Sequence, residues 1–202
     1  EIALPEALAA QANRFGFEGV AVTGQGGDET VWLAVQREWK DDPKGKARIL
    51  SYKPATKAWG VLHYPLTAPA AGAWMGLSEL TALGDDRFAV IERDNRFGAG
   101  AVKTLATFSV KGLTPAAIGA QSSPTVEKKL LRDLTPDLMK LGGYGLDKVE
   151  GMTVDSAGNL FVVTDNDGVD DSSGETPLFA LGKLAPSPTA TPRSPPAPPS
   201  PP

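Results

Sequence analysis

Cysteine is absent from the chain. That removes disulfides, thiol nucleophiles and Cys-ligated zinc. It leaves the compartment open, because exported proteins also do without cysteine. Histidine occurs once, as His63, so a mechanism built on paired histidines has little to work with. A lone His in an apolar strand is expected to be structural. No run of 18 or more apolar residues exists, and the long uncharged stretch that includes 63–78 is broken by Pro65 and Pro69. No membrane span is therefore expected. There is no G-x-S-x-G elbow, no H-E-x-x-H and no phosphate loop. A basic excess is also missing. With 20 Lys and Arg against 24 Asp and Glu, the net charge of −4 offers no field for nucleic acid. No signal peptide is visible. The chain starts at Glu1 without Met, so this absence carries no information on location.

What is present is a recurring pattern. Residues 74–95, WMGLSELTALGDDRFAVIERDN, run from an acid through an apolar strand, a tight polar turn and a second apolar strand into a burst of charge. The pattern returns at 148–167, KVEGMTVDSAGNLFVVTDND, and appears earlier at 15–38, FGFEGVAVTGQGGDETVWLAVQRE. Such recurrence points to a repeat architecture.

In chain order, residues 1–13 read as one short helix or an arriving segment, with Pro5 suited to an early helical position. Strands are expected at 18–22 and 31–35 around the turn GQGGD, then at 47–52 and 59–64 around KPATK. The second unit places strands at 77–83 and 88–91 around GDD. A half-exposed strand follows at 103–110, then an irregular Gly/Pro/Ser insertion at 111–125. Residues 126–134 read as a strand or a short helix, and 136–141 as one helical turn. The third unit gives strands at 149–154 and 160–164, an acidic loop and a last strand at 178–184. Nine of the final 18 residues are Pro. Residues 185–202 are accordingly expected to form a disordered, extended tail, separate from a domain at 1–184. The tail would serve as a wall-spanning stalk or spacer, or as a plain disordered end.

The acids Glu18, Glu79 and Glu150 are 61 and 71 residues apart, and each interval holds about four short strands. Four antiparallel strands per repeat make a β-propeller blade. The expected fold is therefore all-β and β-propeller-like, with about three antiparallel blades. That reading is favoured over a β-sandwich because three units match in order and polarity. Three blades do not close a ring, so an incomplete propeller is expected.

Acids bound each hairpin. Glu79 precedes Asp94 by 15 residues, and Glu150 precedes Asp165 by the same 15. Because the start of one antiparallel strand lies beside the end of its partner, Glu79 is expected near Glu92 and Asp94, and Glu150 near Asp165 and Asp167. A like-charge pair at ~4 Å costs about 4 kcal/mol at an effective dielectric of 20. Protonation, a basic neighbour or a bound cation relieves it. Ca²⁺ suits an oxygen-rich acidic set. Arg37 and Arg93 match one another in the first two units and suit neutralisation or a grip on phosphate oxygens. The assignments are thus Glu18, Glu79 and Glu150 as catalytic, with Glu79 or Glu150 as general base. Arg37 and Arg93 bind substrate, and Glu92, Asp94, Asp165 and Asp167 bind metal. Trp32, Trp59 and Trp74 are expected in the core or between blades. The loop 165–175 does not satisfy an EF-hand, since Gly168 falls at position four rather than six.

FGFEGVAV, GLSELTALGDDRFAVIERDN and KVEGMTVDSAGNLFVVTDND, with ARILSYKPATK between the first two, resemble the phytase-like domain, the esterase-like activity of phytase family. The likeness covers about 13–184, and the chain is similar to the C-terminal half to two-thirds of such a domain. The resemblance implies an exported β-propeller, extracellular or periplasmic, with phosphoester or ester hydrolase activity. Its active positions would be Glu18, Glu79, Glu92, Asp94, Glu150 and Asp165. The partner would be a small phosphorylated or ester substrate, with cell-wall association through the tail. The other function in view is a non-catalytic extracellular propeller that binds a ligand, tethered by the Pro-rich stalk.

Overall fold

A computed structural model of the chain describes residues 2–140, 148–166 and 176–184. These residues are almost entirely β. Three antiparallel sheets follow one another along the chain. The first comprises β1 (Phe17–Thr23), β2 (Thr30–Val35), β3 (Lys46–Lys53) and β4 (Ala58–Pro65). The second comprises β5 (Met75–Gly84), β6 (Arg87–Asp94), β7 (Lys103–Ser109) and β8 (Lys129–Asp133). The third comprises β9 (Val149–Val154), β10 (Asn159–Thr164) and β11 (Leu178–Lys183). Each sheet is a meander in sequence order, with its first strand at one edge. Those first strands pack together, β1 on β5 and β5 on β9. This is the inner-strand arrangement of consecutive propeller blades.

The turns explain why each meander reverses where it does. Between β5 and β6, Asp85 and Asp86 both take positive φ (52° and 58°), as a two-residue hairpin turn with right-twisted strands requires. Between β9 and β10, Asp155 Oδ1 accepts the backbone N–H groups of Ala157 and Asn159 at 2.9 and 2.8 Å. Asp85, Asp86 and Asp155 are thus turn residues, as their sequence context suggests. Residues 126–134 resolve into strand β8. The expected N-terminal helix shrinks to one turn, α1 (Glu6–Ala9), opened by Pro5. The insertion 111–125 is irregular but anchored, because Ala116 and the Pro124–Val126 stretch hydrogen-bond to Val61 and His63 of β4. The expected tail at 185–202 lies outside the described residues.

Two apolar layers hold the stack. One lies between the first and second sheets, where Trp32 meets Phe88 edge-on at 5.4 Å and Phe88 stacks on Phe108 at 5.3 Å. The other lies between the second and third, with Ile91, Leu105, Met152 and Val162 at its centre. A smaller cluster under α1, built on Leu8, Val35 and Trp39, covers the far face of the first sheet. The inner strands approach closely. A Cβ placed on Gly19 would sit 2.3 Å from the backbone N of Leu80, so only hydrogen fits there.

A buried polar knot ties the first blade's outer edge. The Asp42 side chain has no solvent exposure. It accepts Arg48 Nε at 2.7 Å and the Trp39 N–H at 2.8 Å, and lies 3.0 Å from His63 Nε2. Arg48 also pairs with Asp41 and lies over the Trp39 ring at 5.4 Å. His63 is therefore structural, as expected of a lone strand histidine.

Two outcomes follow from these contacts. Gly19→Ala forces the first two blades apart, and urea unfolding should show a loss of about 1–3 kcal/mol, as overpacking does. Burial alone raises the Asp42 carboxyl, but the bonds from His63, Trp39 and Arg48 outweigh it and hold it below the ordinary value. The stability it contributes is full above the unfolded value of about 3.9 and is lost as pH falls through the folded one. Asp42→Asn should cost about 1–3 kcal/mol at pH 7, because it removes the buried charge that His63, Trp39 and Arg48 bind and leaves Arg48 only Asp41. It should also flatten the acid limb of a stability–pH curve relative to wild type.

Candidate functional site

Each inner hairpin carries one extra residue near its start. Phe17 pairs with Val35 but Gly19 with Ala34, which leaves Glu18 as the bulged residue. Leu77 pairs with Glu92 but Glu79 with Ile91, leaving Ser78. Val149 pairs with Thr164 but Gly151 with Val163, leaving Glu150. Bulges re-aim side chains, and here they aim Glu18 and Glu150 toward one place. The structural counterpart of these two acids in the second blade is Ser78, not Glu79. The equal 15-residue spacings conceal this slip, because Glu79 and Asp94 each lie one residue beyond Ser78 and Arg93, the counterparts of Glu150 and Asp165.

Around Glu18 and Glu150 the charges converge. Arg93 Nη2 pairs with Glu150 Oε1 at 2.5 Å, and its side chain is only 4% exposed. Burial raises the Glu18 carboxyl above its ordinary value, against opposing attraction from Arg93 and Lys148. Burial also raises Glu150. Arg93 and Lys148 oppose that shift and the charge of Glu18 reinforces it. Two carboxylates and two cations thus share one half-buried site. Trp74 lies over it, with the guanidinium carbons of Arg37 and Arg93 5.2 and 5.3 Å from its ring centroid. Phe15 is 6.0 Å from Trp74 and lies beneath Arg37 at 4.6 Å. Glu18, Glu150, Arg37 and Arg93 are candidates from the sequence, and Trp74 lies between the first and second blades, as expected of core or inter-blade packing. Lys148 and Phe15 are not among those candidates.

The remaining acids are elsewhere. Glu79 lies on the face of the second sheet turned toward the third. There it accepts the Leu80 N–H at 2.6 Å and the Met152 N–H at 3.3 Å. Glu92 and Asp94 lie on the opposite face of that sheet, so the expected grouping of Glu79 with them does not form. The bulge at Ser78 and the two-residue alternation of the strand separate them. Glu92 is buried and takes Lys128 Nζ on both oxygens, at 3.1 and 2.8 Å, together with Tyr64 Oη at 3.0 Å and the Thr67 N–H. Asp94 is buried against Lys103, whose Nζ reaches its Oδ1 at 3.0 Å. Asp165 is exposed, its N–H bound to the Lys148 carbonyl at 2.9 Å. Asp167 lies outside the described residues.

The described members of the expected metal set, Glu92, Asp94 and Asp165, do not come together: among the described residues no three acidic or histidine side chains form a metal site. Of the Glu92 and Asp94 oxygens, only Asp94 Oδ2 is buried without a hydrogen-bond partner. Lys128 and Lys103 neutralise the charge at these two residues. A cleft of about 330 Å³ lies apart from the acids, at the first blade's outer edge beside Asp42, Arg48 and His63.

Consecutive antiparallel blades, with acids bulged from the inner strands onto an arginine cluster, define a propeller-like protein with a charged site at its inner-strand starts. The chain belongs to the phytase-like family described as esterase-like activity of phytase, whose model matches residues 1–168. The match includes the N-terminal segment as well as all three acid hairpins, and it ends before β11. No curated protein and no solved structure matches the chain.

Glu79 bridges two blades through both carboxylate oxygens, whereas glutamine offers one acceptor and turns an N–H₂ on the other donor. Glu79→Gln should lower unfolding free energy by about 1–3 kcal/mol, the cost of a stranded buried donor, as read by urea denaturation. Unchanged stability with lost turnover would return Glu79 to the catalytic set.

Proposed function

We propose that the chain is a hydrolase of the esterase-like class acting on small phosphoesters at the Glu18–Glu150–Arg93 site. The observation that carries the reading is the pairing of two carboxyls, both raised by burial, with a buried arginine that one of them holds in place. Arg37 and Arg93 supply planar donors suited to phosphoryl oxygens. Glu18, half-buried and facing Arg93 and Lys148, is the proton carrier. A raised value keeps its proton to higher pH than an ordinary glutamate, which suits general acid–base work. Glu150 orients Arg93 and shares the proton load with Glu18. Glu79 supports the site by fixing the second blade to the third.

Ca²⁺ is not needed to balance Glu92 and Asp94, so no step is drawn through it. Chelation and add-back within the same assay test whether a cation takes part. An exported setting, with residues 185–202 as a spacer toward a cell wall, completes the proposal. In it the three sheets are consecutive blades of a propeller.

The decisive experiment compares p-nitrophenyl phosphate with p-nitrophenyl acetate on the full chain, with chelator and with added Ca²⁺. Glu18→Gln and Glu150→Gln should each lower phosphate-ester turnover by about 100-fold or more, with circular dichroism unchanged. Turnover equal to wild type in both variants would sink the site assignment. Phosphate binding with no hydrolysis of either ester would favour the tethered binding module instead.

A further inference from the structure

Five side chains from four separate segments gather at the site around the Phe15 and Trp74 rings, which touch each other with 6.0 Å between centroids. The Arg14 guanidinium carbon lies 4.8 Å from the Phe15 ring centroid, and that of Arg37 lies 4.6 Å from the same centroid. Arg37 is also 5.2 Å from the Trp74 centroid, and Arg93 is 5.3 Å from it. Arg37 therefore lies against both rings, Arg14 against Phe15 and Arg93 against Trp74, and Arg93 ends on Glu150. Exposure falls from Arg14 through Arg37 to Arg93, a ladder of cations around one ring pair. Arg14 is exposed, the Arg37 side chain is 27% exposed and the Arg93 side chain 4%.

Three guanidinium groups gathered this way repel one another, and carboxylates compensate only part of that. Arg93 has Glu150 at 2.5 Å, whereas the nearest carboxylate recorded for Arg37 is that of Glu38, at 3.9 Å. Arg37 Nε is buried with no hydrogen-bond partner among the described residues. The aromatic rings relieve the repulsion, because each ring presents a negative π-face to a cation. Packing alone would be served by any apolar side chain at residues 15 and 74.

We propose that Phe15 and Trp74 are positioning residues that hold Arg14, Arg37 and Arg93 as a ladder, an anion-binding track running from solvent down to Glu150. The ligand class is an oxyanion of phosphate or carboxylate geometry. The inference deepens the hydrolase reading. Its kinetic arm rests on that reading and its binding arm does not.

The test titrates the full chain with inorganic phosphate by calorimetry at low and moderate salt. It then measures KM and kcat on p-nitrophenyl phosphate. Wild type should bind phosphate, more weakly as salt rises. Trp74→Leu and Phe15→Leu should each weaken phosphate binding about tenfold, equivalent to about 1.4 kcal/mol, and raise KM by a similar factor with kcat nearly unchanged. Trp74→Phe, which keeps a π-face, should stay within about twofold of wild type. If Trp74→Leu fails to fold, the Phe15→Leu result decides alone. Absence of phosphate binding by wild type overturns the ladder. So do leucine variants that fold and bind like wild type, or a Trp74→Phe variant as impaired as Trp74→Leu. If the leucine variants lose phosphate affinity while wild type hydrolyses no ester, the ladder stands and the hydrolase reading falls.

Discussion

The close approach of inner strands, each lengthened by one bulged residue, is the constraint from which the rest follows. At Gly19 two backbones meet with no room for a side chain. Ser78 Oγ donates to the Val149 carbonyl at 2.6 Å, and Glu79 reaches the Met152 N–H. These contacts set the spacing of the blades. The bulges then decide which side chains leave the sheet surface and which remain in its alternation. Glu18 and Glu150 leave it and meet Arg93. Glu79, one residue along, stays in the seam.

Electrostatics divides the acids into two groups by the same geometry. On the first-sheet side of the second blade, Glu92 and Asp94 are buried beside Lys128 and Lys103, and the Tyr64 hydroxyl is pushed well above its ordinary value by burial and by Glu92. Such pairs fix structure, because removing either partner strands a charge in a poorly solvated place. Glu18 of the first sheet and Glu150 of the third share Arg93 and Lys148 and are raised by burial, as is Glu79 in the seam between the second and third sheets.

Much of this was legible in the sequence, for identifiable reasons. The hairpins could be read because their turns carry their own chemistry, as at Asp85–Asp86 and Asp155, and because strands such as 88–91 are uniformly apolar. The convergence of hairpin starts and ends was legible from antiparallel geometry alone. The register was not. A bulge at Ser78 leaves no compositional mark, and Glu79 and Asp94 are displaced together, so their spacing does not reveal it. Glu79 therefore looked equivalent to Glu18 and Glu150, and Arg93 to Arg37. Lys128 directly precedes β8 in a stretch that read equally as strand or helix, so its facing could not be assigned. The ladder joins residues 14, 15, 37, 74 and 93, so only the folded backbone brings it together. The one available signal was an aromatic or arginine beside each acid hairpin.

Lys103 has no solvent exposure, with its ammonium held by the Asp94 carboxylate and the Asp94 carbonyl at 2.6 Å. An amine so enclosed is shielded from acylating reagents, while surface lysines such as Lys53 and Lys57 react freely. Its modification has to wait until β6 and β7 part. The labelling rate at this one nitrogen is therefore a clock for the opening of the second blade, readable by mass without any probe being attached.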